Sequence, residues 1–424
     1  RGGEARAHKA QVLEVDPNNG TVLTVAPGVG LRNFQFDQVF DHASTQEDVY
    51  ASTARRTVVD AVNGVNGSII VYGQTGSGKT FTMFGPGEDE APAGRAHEGV
   101  VLRACREILR AGDARRAQGL EMEVQLSYVE VYGMEVNDLL RERTTVGQSR
   151  VIGHYYAAQG HSAASVNSLE EVHHLLEKGA ANKRQAATMM NERSSRAHSV
   201  VVVSIDQRCT TTNARMQSRL FLADLGGSEK MSQSEADSDT KAAGSVAWEE
   251  YYANRQRLRE TININSGLFV LKKCIDALND RELAAQEGRP LPYVPYQDSK
   301  LTMLLSSALG GGSKTLVLVT ASMEDRHAME TVQALRFGER CANVVNRTSV
   351  TARTLQEMLE ALDIQIETAE EEVRKNERWE MRRVVRADLE GDESINTTVL
   401  VGAEEQRVLL ESLLHRRRQL LGEI

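Results

Sequence analysis

The chain has 424 residues, of which 41% are hydrophobic and 26% are charged, and its formal net charge is −9 at pH 7. This length allows one large α/β domain with an appendage, or two domains, and the acidic balance disfavours a dedicated nucleic-acid binder, which is usually basic. The four cysteines lie far apart and no run of 18 apolar residues occurs, which argues against a disulfide framework, a zinc site and a membrane-spanning helix.

The first predicted elements are strands followed by a helix. A turn signal at 16–20 separates the apolar runs 12–15 and 21–25, which predicts a hairpin. Alternating apolar and polar residues over 34–40 predict another strand, and helical periodicity over 46–63 predicts a helix.

The segment Gly73–Thr80 has the phosphate-binding pattern G-x-x-x-x-G-K-T. It follows the apolar run 68–72, which predicts a buried strand, and it precedes a segment that can begin a helix, as this motif requires. Its glycines let backbone N–H groups face phosphate oxygens, Lys79 can reach the β- and γ-phosphates, and the Thr80 hydroxyl can ligate Mg²⁺. The alternative, a chance glycine-rich turn, does not explain this context, so the segment predicts a nucleotide site.

Further along the chain, predicted strands and helices interleave, and we find no internal repeat. The predicted strands are 121–132, 200–205, 220–225 and 314–321. The predicted helices are 168–185, 262–278, 298–309 and 329–345. Interleaved strands and helices around a P-loop predict an α/β sandwich with a mixed central sheet.

The pattern changes near residue 350. Leu355, Leu359, Leu362, Ile366, Ala369 and Val373 form a short heptad stripe. The segment 391–398 reads as a polar break, and 406–421 reads as a second amphipathic helix with a basic cluster at 416–418, interpreted as a solvated surface. Two interpretations of these helices stay open: packing within the chain, or an interface for a homodimer or partner helix through 355–373.

Two segments beyond the P-loop indicate how the protein responds to the bound nucleotide. The segment Asn191–His198 concentrates hydroxyls, amides and an arginine before a strand, and Asp224–Glu229 ends another strand with an acid and two glycines. An aspartate at a strand end suits a Mg²⁺ contact through water, and a neighbouring glycine can offer its N–H to the γ-phosphate. This layout predicts two loops that the γ-phosphate and Mg²⁺ hold and that hydrolysis releases.

These segments, taken in order, resemble the motifs of the kinesin motor family. The three nucleotide-site segments are similar to its P-loop, switch I (NxxSSRSH) and switch II (DLAGSE). Further matching segments are Ser127–Leu140, Tyr293–Thr302, Leu309–Thr315 and Leu335–Gly338. The resemblance covers residues 34 to 347, and several motifs in register are more specific than any one of them.

The resemblance implies a fold, an activity and a location. The fold would be α/β: a P-loop NTPase motor domain over 1–347, with a mixed central sheet flanked by helices on both faces, and a neck or C-terminal helical extension over 348–424. The activity would be that of a microtubule-binding ATPase motor with ATP or ADP and Mg²⁺ as ligands, and with neither nucleic acid nor a membrane span. The location would be the cytoplasm and the microtubule cytoskeleton, with a cilium or flagellum as a further option.

The resemblance also implies residue roles at the nucleotide. The nucleotide would be bound by Gln74, Thr75, Gly76, Ser77, Gly78, Lys79, Thr80, Phe81 and Asn191, with Phe81 lining the adenine pocket. Mg²⁺ would be held by Thr80 and Ser195 and, through water, by Asp224.

The implied catalytic residues are Ser194, Ser195, Arg196, Gly227 and Glu229. Ser194 would position the lytic water, and Gly227 would sense the γ-phosphate. Arg196 and Glu229 would form the salt bridge that closes the site, for which a guanidinium and a carboxylate are well suited. The alternative is that both are ordinary surface charges.

The implied track contacts lie on the predicted helix 262–278, in the loop before Tyr293 and on the predicted helix that begins at Asp298. The candidates are Lys272, Lys273, Arg289, Tyr293 and Lys300. Tubulin is acidic, so a local basic face on an acidic protein would suit it, although a single lysine is more often simply solvated.

Some positions depart from the family pattern. Ala197 replaces a serine of switch I, Gly226 replaces an alanine of switch II and should loosen that turn, and Gln297 replaces an arginine track contact. The segment 230–263 is longer than usual and could alter microtubule affinity or bind another partner, and of the first-strand RxRP motif only Arg1 remains.

These departures support a second hypothesis, a non-motile, structural kinesin-like microtubule-associated protein, for example in an axoneme, with weak ATPase activity. A third hypothesis, a G-protein-like or myosin-like switch NTPase, is disfavoured by the ordered kinesin signatures.

Overall fold

The chain divides into two compact units in the computed structural model. The structure describes residues 13–86, 95–116, 119–141, 144–145, 148–152, 155–159, 161–188, 197–210, 215–227, 248–346, 352–385 and 394–421. The units comprise residues 1–207 with 217–349, and 208–216 with 350–424.

The first unit is built from interleaved strands and helices, as predicted. Its strands are β1 (Leu13–Asp16), β2 (Thr21–Ala26), β3 (Gly30–Gln35), β4 (Gly67–Gly73), β5 (Leu120–Tyr132), β6 (Glu135–Asp138), β7 (Thr144–Thr145), β8 (Gln148–Ile152), β9 (Tyr155–Gln159), β10 (Ala164–Ser165), β11 (His198–Cys209), β12 (Arg215–Asp224) and β13 (Lys314–Thr320). Its helices are α1 (Gln46–Val49), α2 (Arg55–Val62), α3 (Lys79–Phe84), α4 (Val100–Arg116), α5 (Leu169–Thr188), α6 (Trp248–Gln286), α7 (Lys300–Leu304) and α8 (Ala328–Ala342).

Over the described residues, the central sheet has eight strands and mixed strand directions. Seven of them follow the order β13-β4-β12-β11-β5-β6-β7, and β10 pairs with β5. Strands β12 and β13 run parallel to β4 on its two sides, whereas β6 and β10 run antiparallel to β5. The mixed sheet predicted from the sequence is therefore confirmed.

Strand β4 is buried on both faces, which explains its continuous apolar run. Because side chains alternate along a strand, Ile69 and Val71 join one core and Ile70 and Tyr72 join the other. The first core contains residues of α2, α4 and α5, and the second contains residues of α6, α7 and α8. The Tyr72 ring stacks on Phe337 of α8 with 3.8 Å between centroids. Helices therefore cover both faces of the sheet.

Strands β1–β3 form a separate antiparallel sheet. The predicted hairpin of 12–15 and 21–25 is confirmed over the described residues by β1 and β2. The strand predicted at 34–40 is largely wrong, because β3 ends at Gln35. Phe34 of β3 is buried in a core that this sheet forms with α8.

Two predicted helices differ in length from those observed. Helix α6 runs for 39 residues without a break, far beyond the predicted 262–278. Its first part, Trp248 onward, occupies much of the long segment 230–263, of which residues 230–247 lie outside the described part of the chain. Helix α7 has five residues instead of the predicted 298–309, and a short 3-10 helix, Tyr296–Asp298, precedes it.

Apart from residues 208–216 of β11, β12 and their connection, the second unit is a helix–hairpin–helix. Its elements are α9 (Ala352–Asn376), β14 (Arg378–Val385), β15 (Ser394–Val401) and α10 (Glu404–Leu421). Strands β14 and β15 pair antiparallel. The polar break predicted at 391–398 is therefore wrong from residue 394 onward, since a strand begins there.

The two helices of the second unit contact each other. Leu362, Ile366 and Ala369 of the heptad stripe are buried in the single chain. An ion pair at 2.7 Å joins Arg417 of α10 to Asp363 of α9. None of the helices in the described part of the chain has the length and apolarity that crossing a bilayer requires.

Candidate functional site

The P-loop lies between the end of β4 and the start of α3, as predicted. Gly76 and Gly78 have positive φ angles of 79° and 96°, a region that glycine enters without steric cost. Gly73 has no room for a side chain, because a Cβ atom there would clash with the Thr320 carbonyl and hydroxyl oxygens of β13. The Ser77 hydroxyl donates to the Gln74 carbonyl at 2.7 Å and lies 2.7 Å from the Thr320 hydroxyl. The loop is thus fixed against both β4 and β13.

Lys79 belongs to the P-loop motif and is also the first residue of α3. Its side chain is buried, with 8% exposure, and its ammonium donates to the Gln74 carbonyl oxygen at 2.6 Å. A buried ammonium is stable only where oxygen atoms surround it. Phosphate oxygens would supply such partners, so the position of Lys79 fits phosphate binding.

Asp224 and Thr80 meet at the edge of the sheet where the P-loop begins. Strand β12 is parallel to β4 and pairs Asp224 with Val71, two residues before Gly73. The Thr80 hydroxyl donates to Asp224 Oδ2 at 2.7 Å. The other carboxylate oxygen, Oδ1, is buried and has no hydrogen-bond donor in the described part of the chain.

The environment of Asp224 fits a hard cation. Burial raises the pKa of its carboxyl group, while the Thr80 hydrogen bond and the charges of Lys183 and Lys79 act in the opposite direction. Mg²⁺ prefers oxygen ligands and keeps several of its waters. The Thr80 hydroxyl as a ligand, with Asp224 Oδ1 accepting from a metal-bound water, matches that preference.

Phe81 follows Thr80 on α3, and its side chain is 44% exposed. The amide of Gln46 in α1 donates to the Phe81 carbonyl at 2.6 Å, so a buried side chain fixes this end of the site. The exposed ring is available for stacking on a planar base.

The turn after Asp224 begins with a hydrogen bond from the Leu225 N–H to the Val71 carbonyl of β4 at 3.2 Å. Leu225, Gly226 and Gly227 are buried, and the Gly226 N–H donates to Nδ1 of His198 at 2.8 Å. Gly227 follows Asp224 by three residues, and its contact with the γ-phosphate stays a prediction. Asn191, Ser194, Ser195, Arg196 and Glu229 lie outside the described residues, so their roles stay predictions.

The comparisons with known proteins agree with this geometry. The family model described as kinesin motor domain matches residues 16–344. The chain belongs to the kinesin motor domain family. Proteins of this family are P-loop ATPases that bind microtubules.

Curated kinesins match most of the chain. A kinesin heavy chain of Syncephalastrum racemosum is 34% identical over 85% of this chain and 35% of the relative. Kinesin-like protein 3 of Schizosaccharomyces pombe is 36% identical over 79% of this chain and 55% of the relative. Kinesin-like protein KIN-7L of Oryza sativa is 33% identical over 95% of this chain and 59% of the relative. The chain therefore spans about a third to three fifths of the length of these kinesins.

A solved kinesin structure shares the fold. It is described as the structure of a fast kinesin, with implications for ATPase mechanism and interactions with microtubules. The TM-score is 0.68 at 31% identity, over 81% of this chain and 88% of the solved one. The prediction of a kinesin-type P-loop fold is confirmed.

The proposed track residues lie on α6, on the segment between α6 and α7, and, for Lys300, at the first position of α7. Lys273 is exposed, with its ammonium 4.6 Å from the centre of the Phe269 ring. Arg289 is exposed and forms an ion pair with Glu287. The Tyr293 side chain is 72% exposed. Lys272 and Lys300 are partly buried.

Three polar side chains near the nucleotide site were not predicted from the sequence. Gln46 contacts Phe81, His198 contacts Gly226, and Lys183 of α5 donates to the Ser199 hydroxyl at 2.8 Å. His198 belongs to the predicted switch I segment, so the motif could have drawn attention to it. No local sequence motif marks Gln46 or Lys183 as a site residue, because only the fold brings them near the nucleotide site.

Proposed function

We propose that the chain hydrolyses ATP and couples hydrolysis to movement along, or force on, microtubules. The hydrogen bond of 2.7 Å between Thr80 and Asp224 is the observation that supports this most directly. It joins the P-loop to the first residue of the predicted switch II. Any change in the ligands of Thr80 would therefore act on the loop that reports nucleotide state.

In the proposed mechanism, positioning and electrostatics supply most of the rate. Lys79 exchanges the Gln74 carbonyl for phosphate oxygens and neutralises charge that develops on them. The Gly227 N–H donates to the γ-phosphate, and Phe81 contacts the base. Thr80 and Ser195 would hold Mg²⁺ directly and Asp224 through water, and the ion would supply positive charge that offsets the charge of the phosphates. In the predicted part of the mechanism, Ser194 and the Arg196–Glu229 pair hold the attacking water and accept its proton.

The test of this activity is steady-state ATP turnover of residues 1–424 with and without microtubules. We expect strong stimulation by microtubules and its loss in the Glu229→Ala variant, since no carboxylate would then close the site. Tight co-sedimentation with microtubules but no stimulated turnover would reject the motor. That result would instead support the non-motile alternative, of which an axonemal protein of a cilium or flagellum is one form.

We propose that Lys272, Lys273, Arg289, Tyr293 and Lys300 form the microtubule-binding face. Their support is the resemblance to the kinesin track-binding segment, together with the exposure of Lys273, Arg289 and Tyr293. The face carries local positive charge on a chain of net charge −9, which suits an acidic track.

Charge reversal tests this face. We expect Lys273→Glu to weaken microtubule binding about tenfold, because an attraction becomes a repulsion at the interface. Lys178→Glu is the matched control, because Lys178 is exposed on α5. Equal effects of the two variants on microtubule affinity would contradict the proposed face.

A further question is whether residues 355–373 form a homodimer or coiled coil with a second helix. Leu362, Ile366 and Ala369 are already buried within the single chain, so we propose that this part of the stripe packs internally and that residues 1–424 are monomeric. Light scattering coupled to size-exclusion chromatography would decide, and a mass of twice 46.7 kDa would reject the monomer.

A further inference from the structure

The His198 side chain is buried next to the turn that follows Asp224. It is 3% exposed and lies at the first position of β11. Its Nδ1 atom accepts the Gly226 N–H at 2.8 Å, in a bond between residues 28 positions apart. Gly226 immediately precedes Gly227, whose N–H group is the proposed hydrogen-bond donor to the γ-phosphate.

The imidazole acts only as an acceptor at Nδ1. A neutral ring carries its proton on the other nitrogen, Nε2, when Nδ1 accepts. Burial, and then the charges of Lys183 and Lys79, lowers the pKa of His198 to about 3. The ring is therefore neutral at physiological pH, and protonation does not compete for this hydrogen bond.

Helix α6 lies near the other ring nitrogen, Nε2. A Cβ atom placed on Gly267 of α6 would lie 3.7 Å from His198 Nε2 and 3.5 Å from the Ser299 hydroxyl oxygen. The neighbouring strand residue, Ser199, accepts a hydrogen bond from Lys183 of α5 at 2.8 Å. The imidazole of this β11 residue thus lies close to α6, and its Nδ1 lone pair accepts the Gly226 N–H of the turn.

Gly226 needs such an external restraint. It has no side chain to limit its backbone, so the direction of its N–H and of the following peptide group is set by its hydrogen bonds. We propose that His198 is a positioning residue for γ-phosphate recognition: it holds the Gly226 N–H and so orients the next amide, that of Gly227. This inference rests on the proposed binding of ATP.

If His198 holds the Gly226 N–H, its replacement should weaken the binding only of nucleotides that have a γ-phosphate. ADP has no γ-phosphate to meet the Gly227 N–H, so its affinity should not depend on His198. A non-hydrolysable ATP analogue with a γ-phosphate should bind the His198→Leu variant about tenfold more weakly, the loss expected of one oriented hydrogen bond. His198→Asn should bind within about threefold of the unchanged chain, because the Asn amide oxygen can occupy the place of Nδ1 as an acceptor.

The experiment measures the dissociation constants of fluorescent ADP and of the fluorescent ATP analogue, with Mg²⁺ and without microtubules. It uses the full chain and the variants His198→Leu, His198→Asn and Gly267→Ala. Gly267→Ala is the matched control, because its methyl group makes only ordinary contacts with the ring and leaves Nδ1 free. We expect the selective loss in His198→Leu alone.

Each other result overturns the inference. Equal weakening of both nucleotides in His198→Leu would mean a general packing role, and so would a similar loss in Gly267→Ala. Unchanged affinities in His198→Leu would mean that the turn needs no restraint. If the unchanged chain binds neither nucleotide, the proposed function fails and this inference fails with it, a result distinct from a failure confined to His198.

Discussion

At the scale of single residues, the Asp224 carboxylate combines a role at the cation with a cost to the folded chain. Its side chain is 4% exposed, and burial raises its pKa in the folded chain. An acid whose folded pKa is raised binds more protons folded than unfolded, so its contribution to stability falls as pH rises from the unfolded pKa through the folded one. At neutral pH the ionised group therefore opposes folding of the nucleotide-free chain, and the Thr80 hydrogen bond offsets part of that effect.

Asp224→Asn separates these two roles. The amide oxygen can still accept from Thr80, but the buried charge is gone, so we expect the nucleotide-free unfolding free energy to rise by about 0.5–2 kcal/mol. The ATPase activity should be lost, because a neutral amide no longer offsets the cation charge. Urea denaturation at pH 7 and ATP turnover measure the two effects.

The matched control for this change is Asp280→Asn, since Asp280 is exposed on α6. It should leave the unfolding free energy within about 0.5 kcal/mol of the unchanged chain. A clear loss of stability in Asp224→Asn would show that the buried carboxylate stabilises the nucleotide-free fold.

At the scale of elements, one buried guanidinium joins α1, α4 and the segment before α4. Arg103 of α4 is 7% exposed and forms an ion pair with Glu47 of α1. It also donates to the carbonyl oxygens of Arg95 at 2.8 Å, Ala96 at 3.2 Å and Glu98 at 2.8 Å. Only the planar, five-donor head of arginine can serve so many acceptors at once. Because α1 also reaches Phe81 through Gln46, this junction supports the base side of the site.

We expect Arg103→Met to lower the unfolding free energy by about 1–3 kcal/mol, since the part-buried hydrogen bonds from the guanidinium to the Arg95, Ala96 and Glu98 carbonyl groups are lost. Arg103→Lys should recover only part of the lost stability, because one ammonium group cannot replace the planar, five-donor guanidinium group. Urea denaturation measures the stability, and hydrogen exchange of residues 95–99 measures the local opening.

Arg116→Met is the control on the same helix. Arg116 is exposed and forms an ion pair with Asp113 on the same helix, so its loss should change stability by less than about 0.5 kcal/mol. An Arg103→Met variant as stable as Arg116→Met would show that the junction adds nothing to the fold.

At the scale of the whole molecule, local patterns and ordered motifs predicted the motor fold and brought Thr80 and Asp224 to one site, but they did not predict contacts that depend on strand pairing. The strand–loop–helix around 68–80 was predicted because buried apolar runs and P-loop glycines are local signals. The closeness of Gly73 to Thr320 was not, since only parallel pairing of β4 with β13 brings them together. Strand β15 was missed although it contains a run of β-branched residues, because Asn396 and two threonines made it read as a polar break.

The chain as a whole is expected to unfold in two transitions. Each unit has buried apolar residues of its own: the first has the two cores of the central sheet, and the second buries Leu362, Ile366 and Ala369. A ligand stabilises only the unit that binds it, by about 2.7 kcal/mol at a concentration of 100 times its Kd. Nucleotide with Mg²⁺ should therefore raise the melting temperature of the first unit and leave that of the second unchanged.

Leu362→Ala makes the complementary change. It removes a buried side chain from the second unit, which costs about 2–5 kcal/mol in a well-packed core, so only the second transition should shift downward. Calorimetry of the unchanged chain and the variant, each with and without nucleotide, gives four profiles that assign both transitions. A single transition that responds to nucleotide and to Leu362→Ala alike would mean that the two units unfold together, since both changes would then act on one cooperative equilibrium.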